Sequence, residues 1–290
     1  MTKSTVCTTK YPIIMLHGLA VRDDMMKLSW SNLRLLPLSC MILLPWLKLP
    51  WGNIPQHLKA NGSLIYFGDL TGWGSYRSNA NLLVSKVYNV LAETNADKVN
   101  IIAHSKGGID ARYAISKLKI GEKVASLTTI STPHRGSCIA DIATRLIPED
   151  NHIIEQIIRL LAWLTGDPEP AGTQAIQELT REHMSIFNQD VPDYPGTYYQ
   201  SYGSIMQDKL NDMFFMLNYN LLLKIEGDND GMVSVLSSKW GDFQETFTGT
   251  TDNVGISHLQ ITGSARDTIS EINIPEIYID IVKRIKNMGY

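Results

Sequence analysis

The chain has 290 residues, 44% of them hydrophobic, and 26 Lys and Arg residues against 29 Asp and Glu give a formal net charge of −3. This length suits one large globular domain, and the near balance of charge excludes the basic stripe of a nucleic-acid-binding protein, so we expect no nucleic-acid partner. The three cysteines, Cys7, Cys40 and Cys138, are too scattered for a disulfide framework or a CxxC metal site.

The N-terminal residues MTKSTVCTTKYP include no apolar run typical of a signal peptide, so no signal peptide is expected in this chain. A cytoplasmic location and secretion after removal of a signal both stay open. The most apolar stretch, residues 35–47, is interrupted by two prolines and is too short to span a bilayer. We therefore expect no transmembrane segment and assign this stretch a buried or capping role.

Apolar runs predict a series of strands separated by helical patterns. The predicted strands are residues 11–16, 63–68, 98–105, 124–131, 197–203 and 221–227. Helical spacing of apolar residues follows the second and third strands, and residues 274–288 predict a closing helix. Strands that alternate with helices imply right-handed crossovers and a parallel sheet. We predict one α/β domain over residues 1–290, with a helical cap or lid inserted within residues 138–225.

The segment NIIAHSKGGIDARY, residues 100–113, passes abruptly from a predicted strand into a predicted helix. Ser105 lies at the corner in the pattern A-H-S-K-G, which matches the G-x-S-x-G nucleophile elbow with Ala103 in place of the first glycine. A glycine-rich phosphate-binding turn is the alternative, but no phosphate-binding motif accompanies it. The pattern therefore indicates a catalytic serine at position 105.

A serine nucleophile needs a base and an acid, and in this architecture they follow in the order Ser, Asp or Glu, His. Of the seven histidines, only His258 follows every plausible acid position. The segment EGDNDGMVS, residues 226–234, favours Asp230 as the acid because it is followed by Gly231 and an apolar run. Asp228 remains the alternative acid.

An oxyanion hole in this architecture uses the N–H that follows the nucleophile and an N–H from the loop after an early strand. These positions correspond to Lys106 and, after His17-Gly18, to Leu19. The Lys106 side chain is expected to face solvent. His134 precedes the acid in the chain, so it is expected to be a structural residue on the rim of the site.

These segments together resemble the bacterial lipase and esterase branch of the α/β-hydrolase superfamily, and most of all the clostridial-type members of the bacterial true lipase group, whose serine lies in A-H-S-K-G-G. The resemblance rests on YPIIMLHGLA, KVNIIAHSKGGIDARY, VASLTTISTPHRGS, GTYYQSYGS and GDNDGMVS, in that order. It implies the α/β-hydrolase fold and carboxylic ester hydrolysis through an acyl-enzyme, without a cofactor. It also implies Ser105 as nucleophile, Asp230 as acid and His258 as base.

Two departures from this family concern metal ions. The calcium-dependent relatives have Asp two residues after the catalytic His, where this chain has Gln260. The zinc-containing relatives carry an insertion with His and Asp after the second strand, and residues 68–83 contain no histidine. We therefore expect no structural metal.

The substrate is expected to be an ester or lipid, with a lipid–water interface as one place of action. Apolar faces in residues 151–167 and 208–223, with four tryptophans within residues 30–73, indicate an acyl pocket under a movable lid. A plain esterase, whose apolar stretches are only core, is the alternative within the same chemistry. An acyltransferase with the same triad and a non-catalytic binding relative are the alternatives beyond it.

Overall fold

The computed structural model describes residues 5–20, 51–146, 171–249, 255–264, 268–269 and 271–290. Six parallel strands form the central sheet in the order β2-β1-β3-β4-β5-β6. They are β1 (Ile13–Leu16), β2 (Ile65–Phe67), β3 (Val99–His104), β4 (Val124–Ile130), β5 (Tyr198–Ser204) and β6 (Asp242–Phe247). A small antiparallel pair, β7 (Thr268–Ile269) and β8 (Ile272–Asn273), lies outside this sheet.

Helices flank the sheet. They are α1 (Ile54–Ala60), α2 (Tyr76–Thr94), α3 (Lys106–Lys117), α4 (Cys138–Leu146), α5 (Gln174–Gln177), α6 (Arg181–Asp190), α7 (Met216–Ile225), α8 (Val235–Ser238) and α9 (Ile274–Asn287). Among the described residues, no helix is long and apolar enough to cross a membrane.

The central strands are buried on both faces: every residue of β1, β3 and β4 is buried, and most of these residues are apolar. In β1, Ile13 and Met15 pack on one face in a cluster with residues of α1 and α9. Ile14 and Leu16 point to the other face and pack with α2 and α3. This two-sided burial is why the strands read as continuous apolar runs rather than as an alternating pattern.

Five of the six predicted strands are confirmed as β1 to β5, and the closing helix is confirmed as α9. The strand predicted at residues 221–227 is wrong, because this run belongs to helix α7. Tyr219 and Leu222 are buried three residues apart, as on one helix face. Gly227, with a φ of 86°, donates its N–H to the Leu222 carbonyl and so closes the helix.

The last strand of the sheet, β6, was not predicted. It lies at the edge, and its residues are half-buried or exposed, so it lacks the apolar run that marks the central strands. Within the range 138–225, the structure describes helices α4 to α7 and also β5, which belongs to the central sheet. The predicted lid helix at residues 151–167 and the apolar stretch at 35–47 lie outside the described residues.

Candidate active site

Ser105 lies at the junction of β3 and α3, in a backbone conformation rarely adopted by residues other than glycine. Its φ is 53° and its ψ is −130°. The turn is held on both sides, because the Ser105 N–H donates to the Ile130 carbonyl at 3.0 Å and the Thr132 hydroxyl donates to the Ser105 carbonyl at 2.8 Å. A strained serine that its surroundings fix in this way is the arrangement expected of a nucleophile elbow.

The elbow requires very small residues around Ser105. A Cβ atom on Gly107 would lie 2.4 Å from the His17 carbonyl oxygen, and one on Gly18 would lie 2.7 Å from the Ser105 Cβ. Neither glycine could carry a side chain without movement of the backbone around it. Ala103, in contrast, lies fully buried within β3, where its methyl group is accommodated.

His258 connects Ser105 to Asp230 through its two ring nitrogens. The Nε2 atom lies 2.9 Å from the Ser105 Oγ, and the Nδ1 atom lies 2.8 Å from Oδ2 of Asp230. Because an ionised carboxylate can only accept, Nδ1 carries the proton in this arrangement, and Nε2 is left to accept the hydrogen bond from the serine hydroxyl. All three side chains are buried.

Asp230 is fixed by further hydrogen bonds. Its Oδ1 atom accepts from the N–H groups of Met232 and Val233 at 3.0 and 2.8 Å, and its Oδ2 atom accepts from the Ser204 hydroxyl at 3.3 Å. The Asp228 side chain is exposed. The structure thus places Asp230, and not Asp228, beside His258.

The N–H groups of Leu19 and Lys106 lie on the two segments that flank Ser105. Lys106 is the first residue of α3, whose N-terminus leaves backbone N–H groups without intrahelical acceptors. Within the described residues, neither N–H has a protein acceptor, as expected of an oxyanion donor in the free enzyme.

The expectation that the Lys106 side chain faces solvent is wrong. It is only 2% exposed, and its Nζ lies 2.7 Å from Oδ1 of Asp110, one helical turn further along α3. The other carboxylate oxygen, Oδ2, accepts from Asn79 at 2.8 Å. Burial raises the pKa of Asp110, and the Lys106 ammonium opposes that rise. The ion pair lies within α3, and the bond from Asn79 ties it, and with it the start of this helix, to α2.

His104 is a residue of the site that the sequence analysis did not select. Its ring lies between Trp51 and His258, with a centroid distance of 4.5 Å to the His258 ring. Burial, and then the proximity of His258, lower the pKa of His104 well below its ordinary value. Its position directly before Ser105 was the available signal, since it brings the residue to the same strand end.

His134 is buried in the interior rather than placed on the rim of the site. Its ring stacks on Trp240 with a centroid distance of 5.3 Å, and its Nε2 atom lies 3.0 Å from the Thr129 hydroxyl. The Arg112 guanidinium approaches the other ring nitrogen at 3.3 Å. Burial lowers the pKa of Arg112 to about 10 and that of His134 well below its usual range.

A cavity of about 370 Å³ opens beside Ser105 and His258. Its walls are mainly apolar and come from the loop after β1, from α4 and from the segments around Phe215 and Met232. An apolar cavity with a few convergent polar groups is the usual form of a small-molecule site. A molecule bound in this cavity would contact the Ser105 hydroxyl.

Within the described residues, no group of three or more His, Cys, Asp or Glu side chains is placed to hold a metal ion. The Gln260 amide is engaged by the protein itself: its Oε1 accepts from the Ser257 N–H at 2.8 Å, and its Nε2 donates to the Asn211 carbonyl at 3.2 Å. The expectation that the protein has no metal stays a prediction.

In comparisons with known proteins, the chain is similar to a serine esterase family and to triacylglycerol lipases. Residues 72–146 match the family model described as "Putative serine esterase (DUF676)". The chain is 30% identical to Triacylglycerol lipase 2 of Saccharomyces cerevisiae over 204 residues, which cover 68% of the chain and 58% of the relative. It therefore spans less than two thirds of the length of this yeast protein.

Two solved structures share the architecture over nearly the whole chain. Staphylococcus hyicus lipase superposes with a TM-score of 0.67 at 18% identity and covers 99% of this chain and 98% of its own. A metagenomic carboxyl esterase, MGS0156, has a TM-score of 0.69 at 14% identity, with 97% of this chain and 77% of its own covered. The chain has the α/β-hydrolase fold, as expected from its sequence.

Proposed function

We propose that this chain hydrolyses carboxylic esters, with Ser105 as nucleophile, His258 as general base and Asp230 as the acid that orients His258. The observation that carries the proposal is the continuous hydrogen-bonded chain from Ser105 through His258 to Asp230, at 2.9 and 2.8 Å. The similarity to a serine esterase family and to a triacylglycerol lipase supports the same chemistry.

The geometry supports a double-displacement reaction. His258 Nε2 takes the proton as the Ser105 Oγ attacks the ester carbonyl, and the N–H groups of Leu19 and Lys106 stabilise the resulting oxyanion. Asp230 stabilises the imidazolium, which then gives its proton to the departing alkoxide. Water activated by His258 cleaves the acyl-enzyme to the free acid and restores Ser105.

An apolar acyl group suits the cavity beside Ser105. Phe214 and Phe215 line this cavity, and they lie in a segment that also carries the exposed apolar side chains of Met213 and Leu217, which are 75% and 77% exposed. Exposed apolar side chains clustered beside a site are typical of surfaces that meet lipid or another apolar partner. We therefore propose lipid esters at a lipid–water interface as substrates, with this segment as part of a lid.

A p-nitrophenyl ester series from acetate to palmitate tests the proposal on the wild type and on Ser105→Ala. We expect hydrolysis by the wild type and a loss of about 10⁴-fold or more in the variant, because oxyanion and binding effects alone remain. Product analysis in the presence of an alcohol acceptor distinguishes hydrolysis from acyl transfer. Near-normal turnover by a folded Ser105→Ala variant would contradict the proposal.

A further inference from the structure

Two loops that are distant in sequence are joined directly beside His258. One is the segment after β5, residues 205–215. The other is the loop that carries His258, which the structure describes over residues 255–264 and which we call the His258 loop. The Ser257 hydroxyl donates to Oδ2 of Asp212 at 2.7 Å, and the Gln260 amide donates to the Asn211 carbonyl at 3.2 Å. A backbone bond of 2.7 Å from Ile256 to Ile205 completes the connection.

Asp212 is fixed in its own loop before it reaches across. Its Oδ1 atom accepts from the Phe214 N–H at 3.1 Å, and its carbonyl accepts from the Phe215 N–H at 3.0 Å. The Phe215 ring in turn meets the His258 ring edge-on at a centroid distance of 6.5 Å. The segment therefore touches the His258 loop both through the backbone next to the histidine and through the ring.

Ser257 directly precedes His258 and is fully buried. Its hydroxyl donates to the Asp212 carboxylate and accepts from the Gln260 N–H at 3.3 Å. A hydrogen bond from a hydroxyl to a carboxylate is stronger than one between neutral groups. Without Asp212, the buried hydroxyl would lose its acceptor and the loop would lose its strongest tie to the neighbouring segment.

We propose that Asp212 is a positioning residue for His258: through Ser257 it fixes the loop backbone, and so holds Nε2 at hydrogen-bonding distance from Ser105. This inference rests on the proposed function, since it assigns Asp212 a part in that reaction. Asp212 touches no reacting atom. Its contribution is to alignment, and a displacement of about 1 Å at a reacting group can cost about 10²-fold in rate.

The chain offers a matched control for Asp212. Asp208 lies in the same segment, and its Oδ1 atom likewise accepts from the N–H two residues later, that of Leu210, at 2.7 Å. The structure shows no hydrogen bond from the Asp208 side chain to the described part of the His258 loop. Asp208→Ala and Asp212→Ala therefore remove the same charge and the same local turn contact, and only the second removes the bond to Ser257.

The first test measures steady-state kinetics on a soluble short-chain p-nitrophenyl ester. We expect kcat to fall by about 10- to 100-fold in Asp212→Ala and in Ser257→Ala, with KM changed by less than about 2-fold. Asp208→Ala should match the wild type. Asp212→Ala should stay folded at the assay temperature but melt at a lower temperature than Asp208→Ala, because it alone leaves the buried Ser257 hydroxyl without its acceptor. The double variant Asp212→Ala/Ser257→Ala should be no slower than the slower single variant, because both remove one interaction.

The second test needs no turnover. The imidazole proton resonances of His258 should shift in Asp212→Ala and stay unchanged in Asp208→Ala. Equal kinetics and equal spectra for the two Asp variants would overturn the inference, while Ser105-dependent hydrolysis by the wild type would leave the proposed function intact. Dialysis of the wild type against EDTA should change neither kcat nor melting temperature. A loss restored by calcium would also overturn the inference, because an ion would then hold the two loops together.

Discussion

The Asp230 carboxylate is saturated with hydrogen bonds from backbone N–H groups, a hydroxyl and His258, whereas the Asp228 carboxylate is exposed. Asp230→Asn should therefore reduce kcat far more than Asp228→Asn. The amide cannot stabilise the imidazolium or hold the required tautomer, a change that costs on the order of 10⁴-fold in a serine protease. Kinetics on a short soluble ester measure both variants, and the reverse ranking would assign the acid to Asp228.

Lys106 and Asp110 form a buried ion pair whose removal from one side should be costly. Lys106→Met leaves the Asp110 carboxylate buried without its cation and should lower the free energy of unfolding by about 3–5 kcal/mol. Replacing both residues, in Lys106→Met/Asp110→Leu, should recover most of this loss. Urea unfolding of the wild type and the two variants measures the difference, and equal stability of all three would show that the pair is dispensable.

The same variant has a predicted pH dependence. Burial already raises the pKa of Asp110, and removal of Lys106 raises it further. A carboxyl whose pKa is higher in the folded state than in the unfolded state binds more protons when the protein is folded. The free energy of unfolding therefore rises as the pH falls from the folded-state pKa to the unfolded-state pKa. The deficit of Lys106→Met relative to the wild type should thus shrink as the pH is lowered from neutrality towards the ordinary pKa of a carboxyl group, and a constant deficit would contradict this origin.

Single residues were predictable where the chemistry fixes an order along the chain. Ser105 was selected from its elbow pattern, Asp230 from the glycine and apolar run that follow it, and His258 from its place after every plausible acid. In the structure their side chains lie side by side. The Lys106 side chain was assigned to solvent because a lysine near a helix start is usually exposed, and its burial depends on Asp110 and Asn79. The pairing of Asp212 with Ser257 spans 45 residues, and nothing local in the sequence indicates it.

At the scale of elements, prediction worked for the strands and helices with a clear apolar pattern, and it failed for β6 and for the short apolar run that belongs to helix α7. The apolar runs that form β1 to β4 are shorter than an ordinary helix, and this length favours strands. The run at 221–227 looks similar in isolation, but it continues helix α7, and Gly227 ends that helix rather than a strand. The edge strand β6 has one neighbour and little buried area, so it leaves only a faint pattern.

The segment that carries Met213 and Leu217 gives a prediction about the lid. Leu217→Glu should reduce hydrolysis of emulsified long-chain esters several-fold and leave hydrolysis of a short soluble ester unchanged, because the exposed leucine would contact lipid. Leu217 suits this test better than the neighbouring Phe215, which is buried against His258.

Leu64→Glu is the control for this prediction. Leu64 is likewise an exposed leucine, at 50%. It directly precedes β2 and therefore lies at the amino end of the parallel sheet, away from Ser105. It should leave both activities unchanged. Equal effects of Leu217→Glu and Leu64→Glu, or saturation that is smooth through the solubility limit with acetate or butyrate preferred, would identify an esterase without interfacial action.

At the scale of the whole molecule, the parallel sheet explains why distant segments meet at one place. Loops that follow parallel strands emerge at the same edge of the sheet, which is where sites in such folds are found. Gly18 follows β1, Ser105 follows β3, and the segment containing Asp212 follows β5. The alternation of strands and helices makes this convergence predictable, because it implies a parallel sheet.

The arrangement of the cap is the part of the molecule that sequence reasoning predicts least well. The range 138–225 was proposed as a helical insertion, and β5 within it is a full member of the central sheet. Helices α4 to α6 pack on one another and on neighbouring loops through contacts that join distant residues, such as the bond from Cys138 N–H to Glu226. Periodicity indicates that such helices exist but not where they pack.

The central claim is that Ser105 is the nucleophile, and covalent labelling tests it most directly. The wild type is treated with a serine-reactive alkyl phosphonate, and the modified residue is identified by mass spectrometry of peptides. We predict a single adduct on Ser105, formed much more slowly in His258→Ala because the base is absent. An adduct on another serine, or a labelling rate at Ser105 that does not depend on His258, would contradict the account.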